Sequence, residues 1–242
     1  MKAPLEQQKA LLELQRVDST VDRLNHRRGS LPEDAKLAEL RTSIEAIDQL
    51  SAERDGTLVT TRREQERLEH EIETLRKKAD AEEARAAAGK VNSPKELTNI
   101  QAEVEALRRR VSNLEDELLE RMEARETLEG ELEDLASRRE VALGEQRDVT
   151  VARDAALAEI DRELGTERAA RGAVLPSIGD QLVALYDKVR ARENGVGAAA
   201  LAGNTCQGCR VSISPVELRK LKELPPDEVK RCENCRRILV VG

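Results

Sequence analysis

The stretch Ala86-Ala87-Ala88-Gly89-Lys90-Val91-Asn92-Ser93-Pro94-Lys95-Glu96 turns the chain back on itself. Alanines running into a glycine close one helix, because glycine tolerates the backbone angles at which a helix ends. Ser93 and Glu96 then open the next as a capping box. The serine hydroxyl accepts from the Glu96 amide and the carboxylate reaches back, while Pro94 sits in the first turn, where a missing N–H costs nothing. A connection this short implies an antiparallel helical hairpin.

Reading outward from the turn, the upstream arm carries Leu37, Leu40, Ile44 and Ile47 at four-three spacing. It then passes Ser51, Arg54, Leu58, Thr61 and Gln65, and recovers at Leu68, Ile72, Leu75 and Ala79. That is a coiled-coil seam of about six heptads. The downstream arm reads Leu97, Ile100, Val104, Leu107, Val111, Leu114, Leu118, then Arg121 and Arg125, then Leu128, Leu132 and Leu135, and later Leu157, Ile160 and Leu164. Some eighty residues at ~1.5 Å rise make a rod on the order of 120 Å. Folding about Gly89 sets Ser51, Arg54 and Leu58 against Leu128, Arg125 and Arg121, so the two polar gaps are expected to meet. Three guanidinium groups at one level call for Glu53, Asp55, Glu123 or Glu126 to swing across. The gap reads either as a waist for a partner or as a register marker in a narrow, wet seam, and the tip around Lys90 to Lys95 is a second candidate surface for a partner helix.

An earlier helix, from Pro4 to about Arg28, shows one apolar face at Ala10, Leu14, Val17, Val21 and Leu24 and stops near Gly29-Ser30-Leu31-Pro32. It is expected to lie against about 149–171. After Leu175-Pro176 comes a short helix holding Ile178, Leu182, Leu185, Tyr186 and Val189, with Tyr186 read as a packing residue, and then a turn at Asn194-Gly195-Val196-Gly197.

All four cysteines fall near the end, as Cys206/Cys209 and Cys232/Cys235. Two residues between cysteines let both thiolates reach one tetrahedral ion, and two such turns supply four sulfur ligands with no position left open. A thioredoxin-like redox site needs only one pair, set at a helix start. Disulfides want an oxidising compartment, and MKAPLEQQKALLELQ does not resemble a signal peptide. Iron–sulfur ligation is the remaining alternative, and one structural zinc ion is the expected cofactor. Between the pairs, Ser214-Pro215-Val216-Glu217 repeats the capping pattern of Ser93 and starts a helix that ends before Pro225-Pro226. A weak strand is expected at 198–202 and a closing strand at 238–241, which completes a zinc ribbon.

Composition bounds the rest. Charged residues make up 37% of 242, and Tyr186 is the single aromatic side chain, so long helices burying narrow stripes are expected rather than a wide core. No run approaches the ~20 apolar residues of a membrane span, and the expectation is a cytoplasmic protein. The net charge of -7 is uneven, with +3 from Cys206 onward and -10 before it. Four thiolates around a dication bring the loaded ribbon to about +1. Its basic character is local, at Arg210, Lys220, Lys222, Lys230, Arg231, Arg236 and Arg237, the candidate partner-binding residues. The organisation expected is mainly α: a coiled-coil hairpin over 1–175 (helices near 4–28, 33–88 and 94–173), a connecting helix and turn over 176–197, and the zinc ribbon over 198–242.

The hairpin, the short Tyr-bearing helix, Cys206-Gln207-Gly208-Cys209, the capped helix and Cys232-Glu233-Asn234-Cys235-Arg236-Arg237-Ile238-Leu239 together resemble the bacterial four-cysteine zinc-ribbon coiled-coil family, long classed as a domain of unknown function and including a flagellar-associated protein. The resemblance spans essentially the whole chain and implies a non-enzymatic adaptor with Cys206, Cys209, Cys232 and Cys235 as zinc ligands. In the flagellar member it implies binding to an alternative sigma factor and to a messenger RNA, a role that nothing in this chain suggests. One departure stands out: the family usually has glycine after the last cysteine, and this chain has Arg236, which must take an unusual backbone angle unless the turn differs.

Two functions from different classes follow. One is an arm presenting a ribbon that binds nucleic acid or a nucleic-acid-handling protein; with no rings for bases to stack on, a nucleic-acid contact would be phosphate-dominated and salt-dependent. The other is a pure protein–protein scaffold or chaperone-like coiled coil. Neither needs a small-molecule substrate. Catalysis lacks support: His26 and His70 lie off the seams, and neither a nucleophile–base set nor a glycine-rich phosphate loop is visible.

Overall fold

The computed structural model describes residues 1–89, 91 and 93–241; Lys90 and Asn92, within the expected tip surface, lie outside the described residues. The helices are α1 (Leu5–Arg28), α2 (Pro32–Ala87), α3 (Pro94–Val174), α4 (Asp180–Arg192) and α5 (Pro215–Glu223), with a short 3-10 turn at Leu175–Ser177. The strands are β1 (Ala198–Ala202), β2 (Thr205–Cys206), β3 (Lys230–Arg231) and β4 (Ile238–Val241). The fold is mainly α, a long antiparallel hairpin of α2 and α3 with a four-cysteine ribbon at the C-terminus. No described helix is long and apolar enough to cross a membrane. The chain forms two compact units, Lys36–Val149, and Met1–Ala35 together with Thr150–Gly242. The second unit cuts across the expected division by element type, because α1, the end of α3, α4 and the ribbon bury side chains in common.

Within Lys36–Val149 the hairpin is held by the narrow seam that its heptads dictate. Leu37, Leu40, Ile44, Ile47, Leu58, Leu68, Ile72 and Ala79 are buried from α2, and Ile100, Val104, Val111, Leu114, Leu135 and Ala142 from α3. Leu97, expected in the seam, is 38% exposed. The cap at Ser93 forms as its sequence requires, with the Glu96 amide donating to Oγ at 3.2 Å.

The register departs from the expected one. Arg62 pairs with Glu129 at 2.8 Å, Arg139 with Asp48 at 2.6 Å, Arg108 with Glu83 at 2.6 Å, and Arg76 with Glu115. These four pairs have midpoints between positions 93 and 96, and Lys78–Glu103 and Arg110–Glu71 have theirs between 90 and 91, so the arms turn about a point roughly one helical turn beyond Gly89. The three arginines are therefore staggered instead of meeting at one level. Arg54 reaches Glu131 at 2.7 Å, Arg121 reaches Glu64 at 3.5 Å, and Arg125 donates to Gln65 Oε1 at 3.1 Å and lies 3.7 Å from Glu129. Of the four carboxylates expected there, Glu53 alone is found beside one of these arginines, 3.8 Å from Arg54, among the described residues. Each pair is largely solvated and contributes at most ~1 kcal/mol; the seam leucines and isoleucines hold the hairpin.

In the other unit Leu24 of α1 and Leu31 of the turn after it pack on Ile160 and Leu164 near the end of α3. A second cluster joins Leu11 and Leu14 of α1 to Leu182 and Tyr186 of α4 and to Ala198 and Ile238 of the sheet. The strand order is β2-β1-β4-β3, with β1 and β4 parallel at its centre. Side chains alternate across this ladder. Ala198 and Ile238 face α1 and α4, whereas Ala199 and Leu239 join Cys206, Ile213, Leu221 and Cys232 beneath the cysteine turns. A strand of alanines survives here because both faces are crowded. At Gly197, just before it, a Cβ would meet the Tyr186 ring at 2.7 Å, so only glycine fits.

A chain of polar groups on α1 fastens the unit. Gln15 Oε1 accepts from the amides of Gly197 at 2.6 Å and Ala198 at 3.2 Å, and its Nε2 donates to the Gly195 carbonyl at 2.9 Å. Gln8 Nε2 donates to the carbonyls of Ala3 at 2.8 Å and Pro226 at 3.0 Å. Asp18 accepts from the Tyr186 hydroxyl at 2.9 Å and from Arg171 Nε at 2.8 Å. Burial, the facing Asp18 carboxylate and their hydrogen bond push the Tyr186 phenol well above its ordinary range. The folded state thus keeps a proton that the unfolded state loses above about pH 10. That contribution to stability is complete below pH 10 and is lost as pH rises toward the folded-state value. Tyrosinate absorbance is expected to appear together with unfolding of this unit in alkali rather than at the pH of a free phenol.

Candidate metal centre

The two cysteine turns are one structure used twice. In the first, the Cys206 amide donates to the Val211 carbonyl at 3.1 Å and the Arg210 amide to the Cys206 carbonyl at 2.8 Å. In the second, Cys232 donates to Arg237 at 3.0 Å and Arg236 to Cys232 at 2.9 Å. Each turn is flanked by the same antiparallel pairing, Thr205 with Ser212 and Arg231 with Ile238. Each also places its fifth residue in the left-handed region, Arg210 at φ 58° and Arg236 at φ 61°. The turn at Arg236 therefore keeps the shape that glycine would favour, and the arginine adopts the unusual angle. Arg210 repeats this on the first turn, which the sequence reading missed.

These turns bring all four sulfurs within 4.8 Å of one another, with Cys206 and Cys235 at 4.0 Å and Cys209 and Cys232 at 3.9 Å. A tetrahedron with zinc–sulfur bonds of about 2.3 Å has edges of about 3.8 Å. A disulfide requires sulfurs about 2.05 Å apart, and all four cysteines are free. Both of these separations link one turn to the other, as a shared ion requires. The amides of Gly208 and Cys209 face Cys206 Sγ, and those of Asn234 and Cys235 face Cys232 Sγ, as donors that stabilise thiolate charge. The donor set, geometry and closed coordination fit a structural zinc ion.

Burial pushes the Cys206 thiol up and that of Cys232 up to about 12, against those amides. Burial also acts to raise Cys235, but the amide and side chain of Arg237 and the neighbouring sulfurs outweigh it and hold that thiol below its ordinary value. Cys206 and Cys232 are therefore protonated at neutral pH until a metal displaces the protons. Affinity is expected to weaken about tenfold per pH unit for each proton released as pH falls, so at least about a hundredfold per unit for these two. Competition with a chromophoric chelator at two pH values near neutrality measures the slope, and no slope would contradict displacement.

The basic candidates separate into three kinds. Arg237 is structural: Nε donates to the Val196 carbonyl at 3.0 Å and Nη2 to the Glu193 carbonyl at 2.8 Å, and its side chain is 11% exposed. Its stem also closes on Gly208, where a Cβ would meet Cδ at 2.7 Å. Lys230 is buried at the sheet edge, and Lys220 pairs with Glu217 at 3.5 Å. Arg210, Lys222, Arg231 and Arg236 are exposed, with no ion pair among the described residues. Gln8, Gln15 and Asp18 were missed because hydropathy counts them as solvated, although they share a four-three stripe with Leu11. His26 and His70 are exposed, as their positions off the seams imply.

Comparison with known proteins agrees with this geometry. Residues 205–239 match the C4-type zinc ribbon domain, and residues 14–194 match the CT398-like coiled coil hairpin domain. Uncharacterized protein Rv2229c of Mycobacterium tuberculosis is 32% identical over 247 residues, covering 99% of this chain and 97% of its own. A solved structure from Mycobacterium smegmatis is 36% identical, covers 100% of both chains and superposes with a TM-score of 0.86. CT398 from Chlamydia trachomatis, 18% identical with 97% of each chain covered, shares the fold at a TM-score of 0.71. With one domain following the other along its length, the chain belongs to the CT398-like coiled-coil hairpin family.

Proposed function

We propose that this protein is a non-enzymatic adaptor in which the hairpin presents a ribbon, ordered by one zinc ion, for binding nucleic acid or a nucleic-acid-handling protein. The observation that supports it is the set Arg210, Lys222, Arg231 and Arg236, exposed and unpaired among the described residues in a chain whose net charge is -7. Free cations on an acidic protein are where an anionic partner gains most. A four-sulfur site leaves no ligand position for a substrate, which assigns the metal to structure.

A fluorescence titration of the zinc-loaded, full-length protein with short single-stranded RNA and DNA tests the nucleic-acid arm. With up to four phosphate contacts, log K is expected to fall against log salt with a slope of about -3 at most. No association even at low salt removes that arm and leaves the protein-binding one, and loss of all partner capture by a ribbon-unfolded Cys232→Ser variant distinguishes a ribbon adaptor from a scaffold working through its helices.

A further inference from the structure

One surface converges more than the rest. A cleft of about 390 Å³ opens between α4 and the second cysteine turn, lined by Leu185, Lys188, Val189 and Arg192 on one side and Arg231 and Arg236 on the other. None of the four cations has an ion pair among the described residues. The carboxylate on its wall, Glu193, lies 4.0 Å from Arg237 Nη2 and so is turned toward a cation that already serves the fold. Lys188 and Arg192 were absent from the basic set read off the ribbon, because they belong to a helix that packs beside it.

Arg236 stands at the edge of the cleft in a strained turn. Its left-handed backbone costs ~1–2 kcal/mol that glycine would avoid, and its side chain makes no hydrogen bond or ion pair that would offset this among the described residues. Arg210 takes the same angle on the first turn, outside the cleft, so the strain belongs to the turn; what bears on a partner is the free guanidinium that Arg236 places at the cleft.

We infer that this cleft binds an acidic segment of a protein partner, with carboxylates on Arg192, Arg231, Arg236 and Lys188 and an aliphatic side chain against Leu185 and Val189. The inference rests on the proposed adaptor role and names the class of partner. Guanidinium groups take carboxylates in two-point contacts, and a half-open cleft with Leu185 and Val189 among its cations accepts side chains. A nucleic-acid strand calls instead for a track of cations along successive phosphates and for rings beneath its bases, and Tyr186, the single aromatic side chain, is fully buried.

The test uses zinc-loaded, full-length protein and a fluorescein-labelled peptide of about ten residues alternating Glu and Leu, with its Lys/Leu counterpart and an oligouridine of similar length as rival probes. Selective micromolar binding of the acidic peptide is expected, weakened about tenfold or more by Arg192→Glu and by Arg236→Gly and unchanged by Lys220→Glu. Arg236→Gly separates binding from folding: relief of ~1–2 kcal/mol of strain, less ~0.5–1 kcal/mol of added chain entropy, leaves the ribbon at least as stable. Absent binding, equal loss in Lys220→Glu, or oligouridine competing for the same residues overturns the inference. In each case the adaptor reading stands or falls separately, on partner capture by wild type against Cys232→Ser.

Discussion

Chelating the metal from the full-length protein, or replacing Cys232 with serine, is expected to unfold residues 198–241 while the hairpin unit Lys36–Val149 keeps its helices. The reason is proportion. The core beneath the turns consists of Ala199, Cys206, Ile213, Leu221, Cys232 and Leu239, two of them ligands themselves. So small a core cannot hold about forty residues, whereas a structural zinc site contributes ~10–16 kcal/mol at neutral pH. The seam of α2 and α3 shares none of those side chains. Hydrogen exchange should thus show β1 to β4 losing protection and 36–149 retaining it, with far-UV circular dichroism largely preserved. The effect should also reach one step into the helices, because Ala198 and Ile238 pack on Leu11, Leu14 and Tyr186. As the single aromatic side chain, Tyr186 reports this directly through its fluorescence. A ribbon equally protected without metal would show that sulfur–metal bonds do not organise it.

How much of this could be read beforehand depended on whether a feature is local. Caps at Ser93 and Ser214 and the two cysteine turns rest on neighbours in sequence, and each formed where its residues put it; the alanine strand and the closing strand also fell where expected, but they are held by each other and by packing on both faces. Register did not fall where expected, since a seam repeating every three or four residues looks the same after a slip of one turn. The arginines of the polar gap consequently found Glu131, Glu64 and Glu129, with Glu53 beside Arg54 as the one expected carboxylate among the described residues. Adjacent cations were equally opaque. Arg236 and Arg237 are neighbours, yet the turn sends one to the surface and folds the other onto the carbonyls of Glu193 and Val196. Spacing to the nearest cysteine cannot distinguish them.

Asp18→Ala is expected to cost the unit containing the ribbon about 2–3 kcal/mol, although Asp18 lies far along the sequence from any cysteine. Its side chain is 5% exposed and accepts from Tyr186 and Arg171, with Arg190 at 3.6 Å. Removing it strands the buried Tyr186 hydroxyl and takes one carboxylate from Arg171 and Arg190, which keep Asp187 at 3.7 Å and Asp22 at 2.6 Å respectively. Breaking a buried pair by deleting one partner costs ~3–5 kcal/mol; Arg171 and Arg190 remain about a third exposed and can recover water, which sets the lower range. Tyr186→Phe deletes the hydroxyl while keeping the ring and should cost about 1 kcal/mol alone. In the Asp18→Ala background that second change should cost almost nothing, because the hydroxyl has already lost its acceptor. The cycle is read from thermal or urea unfolding followed by exchange within 150–241, with a coupling energy of at least about 0.5 kcal/mol expected. Strict additivity would mean that α1 is held to α4 by Leu11, Leu14 and Leu182 alone, and that the polar stripe merely accompanies them.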